Sequence, residues 1–363
     1  MRNFKKFAAI AAAAALALSA CSNGASGDKG TKSGEAKSDF KACLVSDAGG
    51  WDDHSFNESA KKGLDEAVKE YGIKFNTAES KNDNDFAPNT KAMVDDGCNL
   101  IIGVGFKLNS ATATEANNNK DLKFALVDSV FTDKEFKPLK LDNGRPLLFN
   151  TQEAAYLAGY VAAGMSKTGK VGTFGGISIP SVTIFMDGFV DGVKAYNEAK
   201  GKDVKVLGWD KATQVGDFTQ TFDDVQLGKS HAQQMIDQGV DVIMPVAGPV
   251  GAGAAQAAKA TGKAVIIGVD SDWYESYADY KDLILTSVEK GIAASVKDTI
   301  KAVIDNKFSA DPYIGTIANG GVSLSPFHDF DSKVPADLKK EVKDLEAKIK
   351  SGELKVESPA ANK

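Results

Sequence analysis

From residue 40 onward, short apolar runs alternate with longer amphipathic stretches. The runs are 41–47 (KACLVSD), 73–80 (IKFNTAES), 100–105 (LIIGVG), 123–128 (KFALVD), 147–150 (LLFN), 170–176 (KVGTFGG), 205–209 (KVLGW), 240–248 (VDVIMPVAG), 264–270 (AVIIGVD) and 283–288 (LILTSV). Apolar runs without alternation are the mark of parallel strands covered on both faces. The spacing between them predicts helices over 55–71, 87–97, 109–118, 152–166, 181–199, 224–238, 251–261 and 290–306. Ser55 is placed to cap the first helix and Gly72 to stop it. This rhythm is that of βαβ units. About ten strands exceed a comfortable open sheet. The expected fold is therefore α/β, with two doubly wound lobes of parallel sheet around a ligand cleft. One lobe is expected over 40–150 with part of 271–322. The other is expected over 151–270 with part of 323–351. Residues 333–351 read as a solvated, charge-laced amphipathic helix.

Open α/β sheets bind ligands beyond the carboxyl ends of their strands. In this chain those ends carry Asp47, Asp52, Asp53, Phe56 and Asn57, then Phe106, then Asp128. In the second half they carry Gly175, Gly176 and nearby Phe185, then Ala247 and Gly248, then Asp270, Glu289 and Lys290. Rings, short acids, an amide and a lysine suit a neutral, flat, hydroxyl-rich molecule. Phenylalanine stacks on a ring, a contact worth about 1–3 kcal/mol per base in nucleic-acid complexes. An Asp with a Lys forks around vicinal hydroxyls. Blander roles are open at each position. Phe56 and Phe185 serve equally as core, Asp47 and Asp53 as helix caps, and Asp270 with Lys290 as a surface pair of little worth.

The N-terminus changes where such a protein would work. Arg2, Lys5 and Lys6 precede an apolar run from Phe7 to Ala20, too short for a membrane span. It reads as a secretory signal over 1–20. Leu18-Ser19-Ala20-Cys21 resembles a lipobox, in which Cys21 carries the lipid. Residues 21–39 are small, polar and charged, as in a flexible tether. Without the signal, 40 Lys and Arg remain against 49 Asp and Glu, a net charge of about −9. This disfavours nucleic acid or anionic lipid as the main partner. Cys43 and Cys98 fall near the starts of two strands that the order 2-1-3 makes neighbours. A disulfide between them is favoured over two inert thiols.

Enzyme signatures are weak. His54, His231 and His328 lack metal-ligand spacing. There is neither a G-x-S-x-G motif nor a Walker loop, and 248–253 does not match G-x-G-x-x-G. No catalytic residue, metal or cofactor is assigned.

The motif Asp47-x-Gly49-Gly50-x-Asp52-Asp53-x-Ser55-Phe56-Asn57, followed by Ala60 and Gly63, resembles the basic membrane protein (BMP) family of lipoproteins. Further matches follow in order: 156–159 (YLAG), Gly175-Gly176 with Pro180 and Phe185, Gly188-Phe189, 268–272 (GVDSD) and 286–290 (TSVEK). The likeness spans about 44 to 295. It implies a type I periplasmic-binding-protein-like fold and a substrate-binding protein of a nucleoside ABC importer. Such a protein is a lipid-anchored monomer on the outer face of the cell membrane, partnered by a permease and an ATPase. It implies that Phe56 and Phe185 sandwich the base, with Phe189 a rival for Phe185. Asn57 and Asp128 would read the base edge, with Asp47 also facing the ligand. Gly248, Asp270 and Lys290 would hold the ribose. Trp51 and Trp273 depart from the family pattern. Expected near the cleft mouth, they leave purine against pyrimidine open. A nucleoside-sensing surface receptor, a sugar-binding protein and a nucleoside hydrolase are the competing functions.

Overall fold

The computed structural model describes residues 39–362. The predicted signal, Cys21 and the tether up to Ser38 lie outside the described residues.

The first lobe holds β1 (Lys41–Ser46), α1 (Phe56–Tyr71), β2 (Lys74–Glu79), α2 (Phe86–Asp95), β3 (Leu100–Val104), α3 (Asn109–Asn118), β4 (Lys123–Val127) and β5 (Gly144–Phe149). The second holds α4 (Gln152–Met165), β6 (Lys170–Gly175), α5 (Pro180–Lys200), β7 (Lys205–Leu207), a small hairpin of β8 (Trp209–Asp210) and β9 (Val215–Gly216), α6 (Val225–Asp237), β10 (Val242–Val246), α7 (Ala252–Thr261), β11 (Val265–Asp270), α8 (Trp273–Ser276) and β12 (Ile284–Lys290). The chain then returns to the first lobe through α9 (Ile292–Ile304) and β13 (Tyr313–Gly315). It ends in the second with β14 (Val322–Leu324) and α10 (Ala336–Ser351).

Both sheets have six strands in one plan. The first is ordered β2-β1-β3-β4-β5-β13 and the second β7-β6-β10-β11-β12-β14. All pairings within them are parallel except β12 with β14. The edge strands β13 and β14 are too short to show as apolar runs in the sequence. The chain passes between the sheets three times, at 149–152, 290–292 and 315–322. These crossings lie together. Gly291 N donates to Gly321 O at 2.8 Å, and Ile317 N to Glu153 Oε2 at 2.7 Å.

Successive residues of β1 serve opposite faces, as strand geometry demands. Ala42 and Leu44 pack in the cluster of Leu64 on α1, while Cys43 and Val45 pack with Met93 on α2. Burying each large aliphatic contributes about 1.5–3 kcal/mol. In the second lobe, α4 and α5 meet backbone to backbone. A Cβ on Gly159 would overlap the carbonyl of Phe189, and one on Gly192 the carbonyl of Tyr156. Hence the glycine in the 156–159 motif is a packing requirement. The helix expected at 333–351 is not merely solvated. As α10 it buries Leu338, Val342 and Ile349, and Tyr160 on α4 donates to its Glu341 at 3.0 Å.

Gly72 ends α1 in the left-handed region, as expected. Ser55 stands at the cap position, but its side chain makes no cap bond. The carboxylate of Asp53 does that work, accepting from the backbone N–H groups of Ser55, Asn57 and Glu58 at 2.8–3.0 Å.

Cys43 and Cys98 form a disulfide, with Cα atoms 6.0 Å apart and 55 residues between them in sequence. Closing a loop of that length stabilises by about 4 kcal/mol on the chain-entropy account. Thiol titration of the denatured soluble protein is expected to find no free thiol. The Cys43→Ser/Cys98→Ser variant is expected to lose roughly 2–4 kcal/mol in urea unfolding.

Candidate functional site

All eight residues singled out as ligand contacts line one cavity between the two sheets. Each position follows from a strand end. Asp47 follows β1, with its N–H on the Val104 carbonyl at 3.1 Å. Asp128 follows β4, with its N–H on the Leu147 carbonyl at 2.7 Å. Asp270 and Lys290 are the last residues of β11 and β12, and Gly248 lies beyond β10. Phe56 and Asn57 open α1, and Phe185 lies in the second turn of α5. Asp128 and Asp270 have φ of 62° and 70°. A non-glycine residue takes that conformation at a cost. Here it turns both acids out of their strands into the cleft.

Lys290 is the centre of the site. Its Nζ lies 2.5 Å from Asp128 Oδ2, on the first lobe, and 3.0 Å from Asp270 Oδ1, on the second. All three side chains are at most 10% exposed, so the pair is no surface ornament. Burial alone would lower the Lys290 pKa, but the two carboxylates outweigh it and raise it. Burial also raises Asp128, and Lys290 offsets only part of that. The ammonium sits 5.3 Å from the ring centre of Phe56 and 4.8 Å from that of Phe185, within cation–π reach of both.

One buried acceptor of the site, Asn57 Oδ1, has no hydrogen-bond partner in the protein, and Asp270 Oδ1 has only the Lys290 ammonium, 3.0 Å away. The Asn57 amide cannot turn away, because its Nδ2 donates to Ala48 O at 2.8 Å. A buried polar atom without a partner costs about 1–3 kcal/mol. The site therefore presents an acceptor that a bound donor would satisfy. Asp47 adds a donor. Burial drives its pKa up to about 8, with Asp53 and Asp223 adding to the rise and Lys107 and Asn57 opposing it. It sits where Gly105, at φ +103°, leaves room; a Cβ there would overlap the Asp47 carboxylate.

The lobes touch around the cavity. Ser55 Oγ lies 3.4 Å from Asp270 Oδ2, Ser271 Oγ donates to His54 O at 3.1 Å, and Tyr277 OH donates to Asp53 O at 3.3 Å. This is a closed arrangement.

The sequence reading missed Phe222, which lines the cavity from the loop after β9. Its ring lies where a Cβ on Gly176 would be, so Gly176 makes room for it, as Gly175 does for Phe218. Phe106, noted at a strand end but not assigned, also lines the cavity. Phe189 does not, and is fully buried. The expected place of Trp273 is corrected. Trp273 is fully buried and donates to Val269 O at 2.9 Å, and neither it nor Trp51 lines the cavity. Trp273 fits against Gly251 and Gly268, which lack side chains to obstruct it; Trp51 packs on the core of the first lobe.

Two doubly wound lobes with a closed polar and aromatic cleft between them define a solute-binding protein of the periplasmic type. The fold of such a protein from Aeropyrum pernix K1, an ABC transporter solute-binding protein, superposes with a TM-score of 0.77 at 28% identity, covering 88% of this chain and 94% of that one. The family model described as ABC transporter substrate-binding protein PnrA-like matches residues 40–359. The chain belongs to that family, whose members are substrate-binding proteins of ABC transporters and not an enzyme class. Among its relatives is the ABC transporter nucleoside-binding protein BmpA of Lactococcus lactis, 34% identical over 311 residues, 80% of this chain and 83% of that one. Basic membrane protein A1 of Borrelia garinii is 34% identical over 318 residues, 86% and 87% of the two chains. No described helix is long and apolar enough to cross a membrane.

The buried Asp47 implies a pH signature. In the unfolded chain it ionises near the ordinary carboxylate value of 3.8, in the fold near 8. Its contribution is thus fully present below pH 3.8 and is lost as pH rises toward 8. Asp47→Asn removes that loss. Its stability relative to wild type is expected to climb between about pH 4 and 8, by at most about 1.4 kcal/mol per pH unit, and then level off. Urea unfolding across that range checks this; a flat difference would mean that Asp47 is ionised in the fold.

Proposed function

We propose that this protein captures nucleosides in the cleft between its lobes and delivers them to an ABC permease with its ATPase for import. In this reading Cys21 carries the lipid that holds the protein at the outer face of the membrane, and residues 21–39 are the tether. The observation that carries the reading is the convergence, in one closed cavity, of aromatic rings with an orphaned acceptor and a lysine held by two acids. A nucleoside has a flat face for the rings, an edge of donors and acceptors, and hydroxyls for the charged end. The name of the Lactococcus relative, a nucleoside-binding protein, supports it.

The roles divide along the cavity. Asn57 Oδ1 accepts from the base edge, and Asp128 and protonated Asp47 complete the reading of that edge. Asp270 accepts from a ribose hydroxyl, Lys290 donates to one, and Gly248 lets the sugar approach the backbone. Phe56 stacks on the base. Phe185 is only 1% exposed and stands behind the Lys290 ammonium. Phe222 is less buried and faces the cavity from a loop. It is therefore the second stacking face, with Phe185 supporting Lys290.

Calorimetric titration of residues 22–363 with a panel of nucleosides tests the reading. Binding is expected, and Phe56→Ala, Phe222→Ala and Asp270→Ala are each expected to weaken it about tenfold or more. No binding to any nucleoside would sink the proposal, and release of free base would show an enzyme in its place. Unchanged affinity in Phe222→Ala beside a loss in Phe185→Ala would return the stacking role to Phe185.

A further inference from the structure

The segment after α10 does not trail into solvent. Leu354 N donates to Lys348 O at 3.0 Å, turning the chain back, and Val356 is buried. Lys211 Nζ then holds the Glu357 carbonyl at 2.5 Å. Ser358 Oγ donates to Asp187 Oδ2 at 2.6 Å. Four residues on, the segment reaches the first lobe. Asn362 N donates to Asn150 Oδ1 at 2.9 Å, Asn150 Nδ2 to Asn362 O at 3.3 Å, and Asn362 Nδ2 to Phe149 O at 3.1 Å.

Each anchor falls at a place that matters for the cleft. Asn150 follows β5 at the first crossing between the lobes, and its own N–H pairs with Gly315 O, at the third. Asp187 lies two residues beyond Phe185 on α5. It is fully buried, and its other oxygen accepts from Trp209 Nε1 and Gln214 Nε2, both at 2.9 Å. Ser358 thus supplies the donor for Oδ2, and without it a buried carboxylate oxygen would lose its partner. Rooted in the second lobe through α10, residues 354–362 make a fourth link between the lobes, formed by hydrogen bonds in place of peptide bonds.

We propose that residues 354–362 are a strap that sets the balance between closed and open cleft. Docked on Asn150 and Asp187, it holds the crossings in the closed arrangement; released, it frees them to change their backbone angles. Hinges of this kind absorb domain closure in a few residues, so pinning one crossing restrains all three. Ligand binding is weakened by whatever fraction of the protein the strap leaves in the open state.

The test compares soluble protein, residues 22–363, with Ser358→Ala/Asn150→Ala, which removes the Asp187 bond and both bonds to the Asn362 backbone, and with a chain stopped after Glu353. Hydrogen exchange in the ligand-free proteins is followed at 290–292 and 315–321. Both variants are expected to exchange there about tenfold faster or more, while the strands β3 and β10 keep their protection. Nucleoside affinity is expected to fall about fivefold or more, through faster dissociation. Wild-type exchange at the crossings in the double substitution would overturn the proposal, whether or not the shortened chain folds. So would faster exchange with unchanged or tighter nucleoside binding. The affinity readout rests on the nucleoside reading, and the exchange readout does not. Should wild-type protein bind no nucleoside, that reading fails and exchange alone decides the strap.

Discussion

The structure turns on one buried cation held between two lobes. Lys290 belongs to the second sheet by sequence position and to the cleft by chemistry, and it is the partner of an acid from each lobe. Removing an ammonium and two carboxylates from water is costly unless each is closely paired. Lys290 and Asp270 pair within the second lobe, and the set is completed only when the lobes are together, because Asp128 comes from the end of β4 in the first. The same three groups then do two things. They join the lobes electrostatically, and they keep a charged, directional end on a cavity whose other walls are aromatic. An isolated lobe would satisfy neither.

Topology explains why these residues meet. The two sheets repeat one strand order, so corresponding ends face each other across the cleft. Asp128 and Asp270 each close the fourth parallel strand of their lobe, and both leave it through a left-handed residue. This internal likeness arises from two doubly wound units of the same plan. Several residues that give the chain its family resemblance serve that plan more than the ligand. Gly159 admits α5 against α4, and Gly176 gives way to Phe222.

Much of this was legible in the sequence, for physical reasons. Buried parallel strands are continuous apolar runs, their ends are where ligands bind, and so Asp47, Asp128, Gly248, Asp270 and Lys290 could be named from position alone. Neighbouring strands brought Cys43 and Cys98 together in the same way. What escaped had no periodic signature. Phe222 lies in a loop outside any strand end. Its only trace was Gly176, the residue its ring packs on, much earlier in the chain. Trp273 looked like a residue of the cleft mouth because it follows Asp270 closely, but the turn into α8 reverses its direction into the core. At α1 the sequence offered both Ser55 and Asp53 as caps, and only the backbone decides between them: Ser55 holds the cap position and Asp53 makes the bonds. The last residues, polar and mixed, gave no hint of a docked segment.

The unsatisfied acceptor gives the cleft its directionality. A closed cleft with Asn57 Oδ1 left without a partner is a state with an internal cost, and opening it to water would relieve that cost. A ligand that donates to it removes the cost without opening. Closure and binding are therefore coupled by the same atom, and ligand shifts the population only by its differential affinity for the closed state. Lys290 works on the other side of this balance, since its bond to Asp128, across the cleft, favours the closed state with or without ligand. A binding protein has to release its cargo as well as hold it. Here the opposition between a cation that draws the lobes together and an acceptor that calls for water keeps the two states close enough in energy for a small ligand to choose between them.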